Sequence, residues 1–155
     1  RRQRQMCIRD SYNRNAYDYF IYNEKNIKNY MVVTFDLNNL KMCNDNYGHS
    51  SGDAYIIHSA HIIETTFDRF GKCYRIGGDE FCCLIPDAAE FQIERFIQKM
   101  QQDIAILNNK NIIPTEVGIA CGYALATPDD ADIEKVRERA DEMMYHNKKV
   151  LKGLI

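Results

Sequence analysis

The chain alternates short runs of large apolar residues with longer stretches in which apolar positions recur every three or four residues. Residues 1–30 are polar and rich in Tyr and Asn. Their apolar positions Tyr17, Phe20 and Ile21, then Ile27, predict a helix followed by a turn between Asn23 and Asn29. The run YMVVTFDL (30–37) is β-branched and aromatic and predicts a buried strand. Residues 39–47 predict a short helix that stops before Gly48. A longer helix opens at Ser51 and carries Ile56, Ala60, Ile63 and Phe67 on one face. KCYRI (72–76) and FCCLI (81–85) are strand-like and flank Gly77, Gly78, Asp79 and Glu80. A hairpin is therefore predicted, with the two glycines supplying positive φ at its tip.

Beyond Pro86, residues 88–107 bring Phe91, Ile93, Phe96, Ile97, Met100 and Ile104 onto a broad apolar helical face. EVGIACGYAL (116–125) alternates small and large residues and predicts a strand, and TPDD (127–130) predicts a turn and a helix start. The last helix places Ile133, Val136, Ala140, Met143, Met144 and Asn147 on one side, with Arg137 and Asp141 as an i,i+4 ion pair. The order α, β, α, α, β-hairpin, α, β, α predicts an α+β fold. It is an α/β sandwich whose central mixed, mainly antiparallel sheet is flanked by helices.

Composition narrows the function classes. The chain has 155 residues, 45% of them apolar, which suits one domain with one core. A net charge of -2 supplies no basic excess for neutralising a phosphate backbone, so nucleic-acid binding is not expected. No apolar run approaches the roughly 18 residues of a membrane span, so no membrane contact by this domain is expected. The opening RRQRQ carries neither Met nor a signal peptide. The expectation is a single domain over 1–155, cut from a longer protein, with 1–12 as the end of an upstream linker or helix. Six cysteines show no metal spacing and are read as buried packing residues in a reducing compartment, with Cys82 and Cys83 on opposite strand faces.

The candidate chemistry lies at two places. Asp36 stands at the C-terminal end of the first strand. Lys41 is at a helix start, Asn44 ends that helix, and Asp53 opens the next. Each has a plain structural reading: Asp36 as a helix cap, Asn44 as a helix terminus, Asp53 as charge complementing a helix dipole, Lys41 as a solvated lysine. Taken together they read differently. If the hairpin strands flank the first strand, Asp79 comes near Asp36, and two carboxylates helped by a carbonyl make an oxygen-rich place for Mg²⁺. Beside a lysine, such a site suits phosphoryl or nucleotidyl transfer.

These stretches resemble the GGDEF family, the diguanylate cyclases. The signature stands intact at Gly77 to Phe81. The D-x-(D/N)-x-x-K-x-x-N-D-x-x-G-H-x-x-G-D pattern runs from Asp36 to Asp53, and the C-terminal pattern appears as Ala140, Asp141, Tyr145 and Lys148. The resemblance implies a nucleotidyl-cyclase-like, ferredoxin-like palm and an enzyme that condenses two GTP into cyclic di-GMP with release of pyrophosphate. It implies Mg²⁺, with Mn²⁺ as a substitute, and a two-fold homodimer with one GTP per domain. It also implies an upstream sensor domain and a cytoplasmic location, the parent protein being membrane-anchored in some relatives. The implied metal ligands are Asp36, Asp79 and the carbonyl of Leu37. Asp79 and Glu80 are the implied catalytic residues, Lys41, Lys148 and Lys152 the phosphate binders, Gly77 and Gly78 the close backbone against phosphate, and Asn44 and Asp53 the guanine readers. Asp53 matches the N1–H and 2-amino donors of guanine, which adenine lacks.

The chain departs from the family pattern in three places. The two positions of the inhibitory R-x-x-D site hold Asp68 and Gly71, so no inhibitory product site is expected. The early D-x-L-T-x-L-x-N-R motif keeps Asn13 and Arg14, but Met6 replaces the Asp and Arg9 the Thr. Leu151 replaces the Gly before the final basic residue. The weakened early motif keeps a second reading open, a silent GGDEF domain that binds GTP as a regulatory or interaction module.

Overall fold

Met31–Leu37, seven consecutive buried residues, form β1 at the middle of the sheet. The structure is a computed structural model in which residues 13–153 are described. The strand order is β2(Lys72–Arg75), β3(Glu80–Ile85), β1, β4(Ile119–Leu125), and all three pairings are antiparallel. A strand covered on both faces needs apolar residues on both, which is why β1 is apolar at every position but Thr34 and Asp36.

Helices cover the two faces separately. On one face α2(Leu40–Tyr47), α3(His49–Phe67) and α4(Ile93–Asn109) enclose Val33, Phe35, Cys83 and Ile85, with Phe35 and Phe67 at 5.4 Å between rings. On the other, α1(Arg14–Asn23) and α5(Ile133–Leu151) cover Val32, Tyr74, Cys82 and Leu84. Cys82 and Cys83 thus split between the two cores, as period-2 alternation requires. The five described cysteines are buried and free. Burying one Phe, Leu or Ile side chain contributes about 1.5–3 kcal/mol, so each face carries a core of useful size.

The seating of α5 matters for the site. A Cβ built on Gly122 of β4 would lie 2.2 Å from the Ala140 carbonyl oxygen and 2.3 Å from the Met144 nitrogen, so helix and strand meet backbone to backbone. The Asn147 amide then donates to the Cys121 carbonyl (2.8 Å). At the start of α5, the Tyr17 hydroxyl donates to Glu134 (2.9 Å), and Arg137 bridges Glu134 (2.7 Å) and Asp141 (3.4 Å). The expected Arg137–Asp141 pair forms, and Glu134 joins it.

Element order and type agree with the expectations from sequence, and several boundaries move. α3 begins at His49 rather than Ser51, because Gly48 at φ +89° turns the chain straight into it. α4 begins at Ile93 rather than near residue 88. Asp87 is left-handed (φ 50°), and the Ala88 N–H is taken by the Asn29 carbonyl (2.7 Å), which holds 88–92 as a turn. Asn44 lies within α2 and does not end it, and Asp53 falls at the end of the first turn of α3. The hairpin tip also differs: neither Gly77 nor Gly78 adopts positive φ. Four residues (76–79) link β2 to β3, and that longer loop closes without a left-handed residue. Residues 1–12, including Met6, Ile8 and Arg9 of the early motif, lie outside the described residues. No helix among the described residues is long and apolar enough to cross a membrane.

Candidate active site

The site forms where β1 and β3 end together. Asp36 pairs directly with Glu80 across the ladder, so both side chains share the α5 face. The Leu37 N–H donates to the Asp79 carbonyl (2.9 Å), which ties the hairpin loop to the end of β1. Arg75 steadies that loop from within, its guanidinium donating to the carbonyls of Gly77 (3.2 Å) and Gly78 (2.8 Å). Beneath, the buried Tyr55 hydroxyl donates to the Asn38 carbonyl (2.6 Å) and accepts from the Gly118 N–H (2.9 Å). Burial pushes the Tyr55 hydroxyl up to about 12, so it stays a neutral donor.

Asp36 is buried, and its Oδ2 accepts from the Lys148 ammonium (2.9 Å). Its Oδ1 is buried with no hydrogen-bond partner. Burial raises its pKa, the Lys148 contact opposes that, and the neighbouring Asp79 carboxylate raises it further. Glu80 is raised by burial and then by Asp36 and Asp79, and Asp141 by burial. Carboxylates therefore crowd this corner with Lys148 and Arg137 as their cations. A raised acid favours folding only while protonated. The cluster's penalty is absent below the ordinary carboxylate range and grows as pH rises through it. Glu80→Gln, which cannot ionise, is expected to raise the melting temperature at neutral pH without metal. The gain should vanish by about pH 4, where native Glu80 is itself protonated. Thermal melts of both proteins across pH check this, and a gain that persists in acid would contradict it.

Two adjoining clefts open beside this corner. The first, about 450 Å³, is bordered by Leu37, Lys41, Asp79, Lys148 and Lys152. The second, about 440 Å³, is bordered by Lys41, Asn44, Asp53, Arg75, Gly78 and Asp79. Lys41 and Asp79 belong to both, so the two form one groove with a cationic end and an Asn/Asp end. A Cβ on Gly78 would meet nothing within 4 Å, so the loop faces open space there. Most of the residues singled out from sequence meet in this groove. Three do not border it: Asp36 lies below under Lys148, Glu80 sits on the α5 side, and Gly77 packs against the Glu80 side chain. Lys152 follows α5 directly, as its C-cap. Sequence alone does not single out Arg75 or Tyr55, and it marks Gly52 only as a position of the family pattern, with no role. Arg75 precedes the signature and looks like any strand residue, and Tyr55 is one aromatic on an apolar helix face.

Among the described residues no group of three or more His, Cys, Asp or Glu is arranged for a metal ion. The oxygen set here is two carboxylates, Asp36 and Asp79, and nearby carbonyls. That suits Mg²⁺, which is held by one or two carboxylates plus substrate phosphates and keeps several waters. The unpartnered Asp36 Oδ1 is the atom such a cation would satisfy.

A family model described as "Diguanylate cyclase, GGDEF domain" matches residues 12–152. The chain belongs to the GGDEF family. The domain is 31% identical over 119 residues to Diguanylate cyclase DgcN of Escherichia coli, covering 76% of this chain and 29% of that protein. It is 28% identical over 120 residues to Diguanylate cyclase DgcP of the same organism, covering 77% and 35%. It thus spans about a third of the length of these curated relatives. Among solved structures it resembles the coiled coil and GGDEF domain of DgcB from Caulobacter crescentus in complex with c-di-GMP. The TM-score is 0.77 at 22% identity, over 96% of this chain and 84% of the other. At that identity the likeness establishes the fold. A Cβ on Gly71 would lie 2.1 Å from the Leu84 carbonyl oxygen, so the chain packs closely on β3 there.

Proposed function

We propose that this GGDEF domain is a diguanylate cyclase that condenses two GTP into cyclic di-GMP and releases pyrophosphate. The observation that carries the reading is the single groove, with an amide and a carboxylate (Asn44, Asp53) at one end and lysines beside the Asp36–Asp79 corner at the other. The two ends together suit a nucleoside triphosphate. Asp53 accepts from the N1–H and 2-amino groups of guanine, and Asn44 bonds its O6/N7 side. Lys41, Lys148 and Lys152 neutralise phosphates, and the open backbone at Gly78 lets phosphate approach closely. Asp36, Asp79 and the Leu37 carbonyl would hold Mg²⁺, with Mn²⁺ as a substitute. When bound, the ion neutralises the triphosphate and lowers the pKa of the attacking hydroxyl.

Two domains face each other as a two-fold homodimer, each holding one GTP. The 3′-oxygen of one nucleotide bonds to the α-phosphorus of the other, the bond to the β-phosphate breaks, and pyrophosphate leaves. Asp79 or Glu80 receives the hydroxyl proton. The same exchange repeats across the two-fold axis. An upstream sensor domain in the full-length, cytoplasm-facing protein sets how often the two sites meet.

The test is to hold the chain dimeric with a coiled coil fused ahead of Arg1, add GTP and Mg²⁺, and identify products by chromatography and mass spectrometry. Cyclic di-GMP is the expected product. A confirmed dimer that binds GTP and makes nothing would contradict the proposal and leave the silent-module reading. Specificity gives a second result: Asp53→Ser is expected to shrink the preference for GTP over ATP by about tenfold or more, since the unpaired guanine donors then lose their acceptor. Competition binding with the two nucleotides reads it, and an unchanged preference would place base recognition elsewhere.

A further inference from the structure

Gly52 occupies the fourth position of α3 and is buried. Its φ lies outside the left-handed region, so no backbone demand explains a glycine there. Inside a helix, glycine is worse than alanine. The reason is steric. A Cβ built on Gly52 would lie 1.6 Å from Asn44 Oδ1, 2.6 Å from its Cγ and 3.2 Å from its Nδ2. The Asn44 amide therefore sits oxygen-first against the bare backbone of the first turn of α3. Among the described residues that amide has no hydrogen-bond partner, so this seat is what orients it toward the cleft it shares with Asp53.

We propose that Gly52 is a specificity-positioning residue of the nucleotide site, because any side chain there ejects the Asn44 amide from the cleft that reads the base. The inference rests on the guanine-reading role given to Asn44 above. The backbones on both sides are held. Gly48 N–H donates to the Asn44 carbonyl (2.8 Å) and Gly52 N–H to the Gly48 carbonyl (3.2 Å), so the end of α2 and the start of α3 turn on one glycine and cannot easily separate. The three atoms nearest to such a Cβ all belong to the far end of the Asn44 side chain. A methyl group at 52 thus leaves the helices in place and moves the amide.

The experiment is a double-mutant cycle on the dimeric chain, with GTP affinity measured by calorimetry and Ca²⁺ replacing Mg²⁺ to hold turnover. Asn44→Ala is expected to weaken GTP binding about three- to tenfold, the range of one or two neutral hydrogen bonds. Gly52→Ala should match that loss with Asn44 untouched. The double variant should bind no worse than Asn44→Ala, since the atoms that clash are gone. In that background Gly52→Ala should also raise the melting temperature, because alanine is the better helix former. Full GTP affinity in Gly52→Ala, or the same extra loss in both backgrounds, would overturn the proposal in favour of a purely structural glycine. If Asn44→Ala alone leaves GTP binding unchanged, the base-reading role fails and the specificity role of Gly52 fails with it. The melting-temperature cycle then reports separately whether the Gly52–Asn44 contact exists.

Discussion

Asp79→Ala is expected to remove turnover by about a thousandfold or more, the scale of losing a metal ligand or a preorganised charge at a reacting phosphate. Asp79 borders both halves of the groove, and its charge acts on Asp36 and Glu80 from the loop side. Without it the corner keeps one buried carboxylate already paired to Lys148. The fold should survive. What Asp79 contributes to the loop is its backbone carbonyl, which accepts from Leu37, and alanine keeps that carbonyl. Product formation by the forced dimer, read beside a thermal melt, separates the two effects. Turnover above about a tenth of native in a folded variant would mean that Asp79 holds no metal.

The second large effect is on the frame. Gly122→Val is expected to destabilise the domain by about 3 kcal/mol, the upper part of the range for overpacking, and to cost activity as well. Its Cβ meets main-chain atoms of α5 at 2.2 and 2.3 Å, and backbone of a long helix cannot swing aside as a side chain can. Relief requires α5 to lift from β4. That movement breaks the Asn147–Cys121 bond and draws Lys148 away from Asp36. For a domain of this size the melting temperature should fall by roughly 10 °C. A native melting temperature would show that α5 reseats without strain.

The fold is legible in the sequence because the sheet and helix periods differ. β1 is apolar at nearly every position and the helices are apolar on one face, so element type and order follow from the pattern. Boundaries are less legible, for local reasons. A left-handed Asp87 and a backbone bond from Ala88 to Asn29 hold off the start of α4, and neither leaves a signal in the apolar spacing. The hairpin tip misleads in its backbone: Gly-Gly suggests left-handed turn residues, and the loop closes without them.

The site divides in the same way. Residue types and spacing point to Asp36, Asp79, Lys41, Asn44 and Asp53 because each is a polar group near an element end. They cannot reveal that Lys148, more than a hundred residues along the chain from Asp36, forms its ion pair (2.9 Å), since that depends on how α5 crosses β4. Nor can they reveal Gly52. Its role appears only when a missing Cβ is set against the Asn44 amide.

In the proposed cyclase one groove holds the base at Asn44 and Asp53 and the reacting phosphate beside Asp36 and Asp79. The most direct measurement is a crystal structure of the domain with Ca²⁺ and a non-hydrolysable GTP analogue. The expected structure has guanine against Asn44 and Asp53, phosphates against Lys41, Lys148 and Lys152, and a cation touching Asp36 Oδ1 and Asp79. A nucleotide lying in the reverse direction, or a cation bound without either carboxylate, would contradict it.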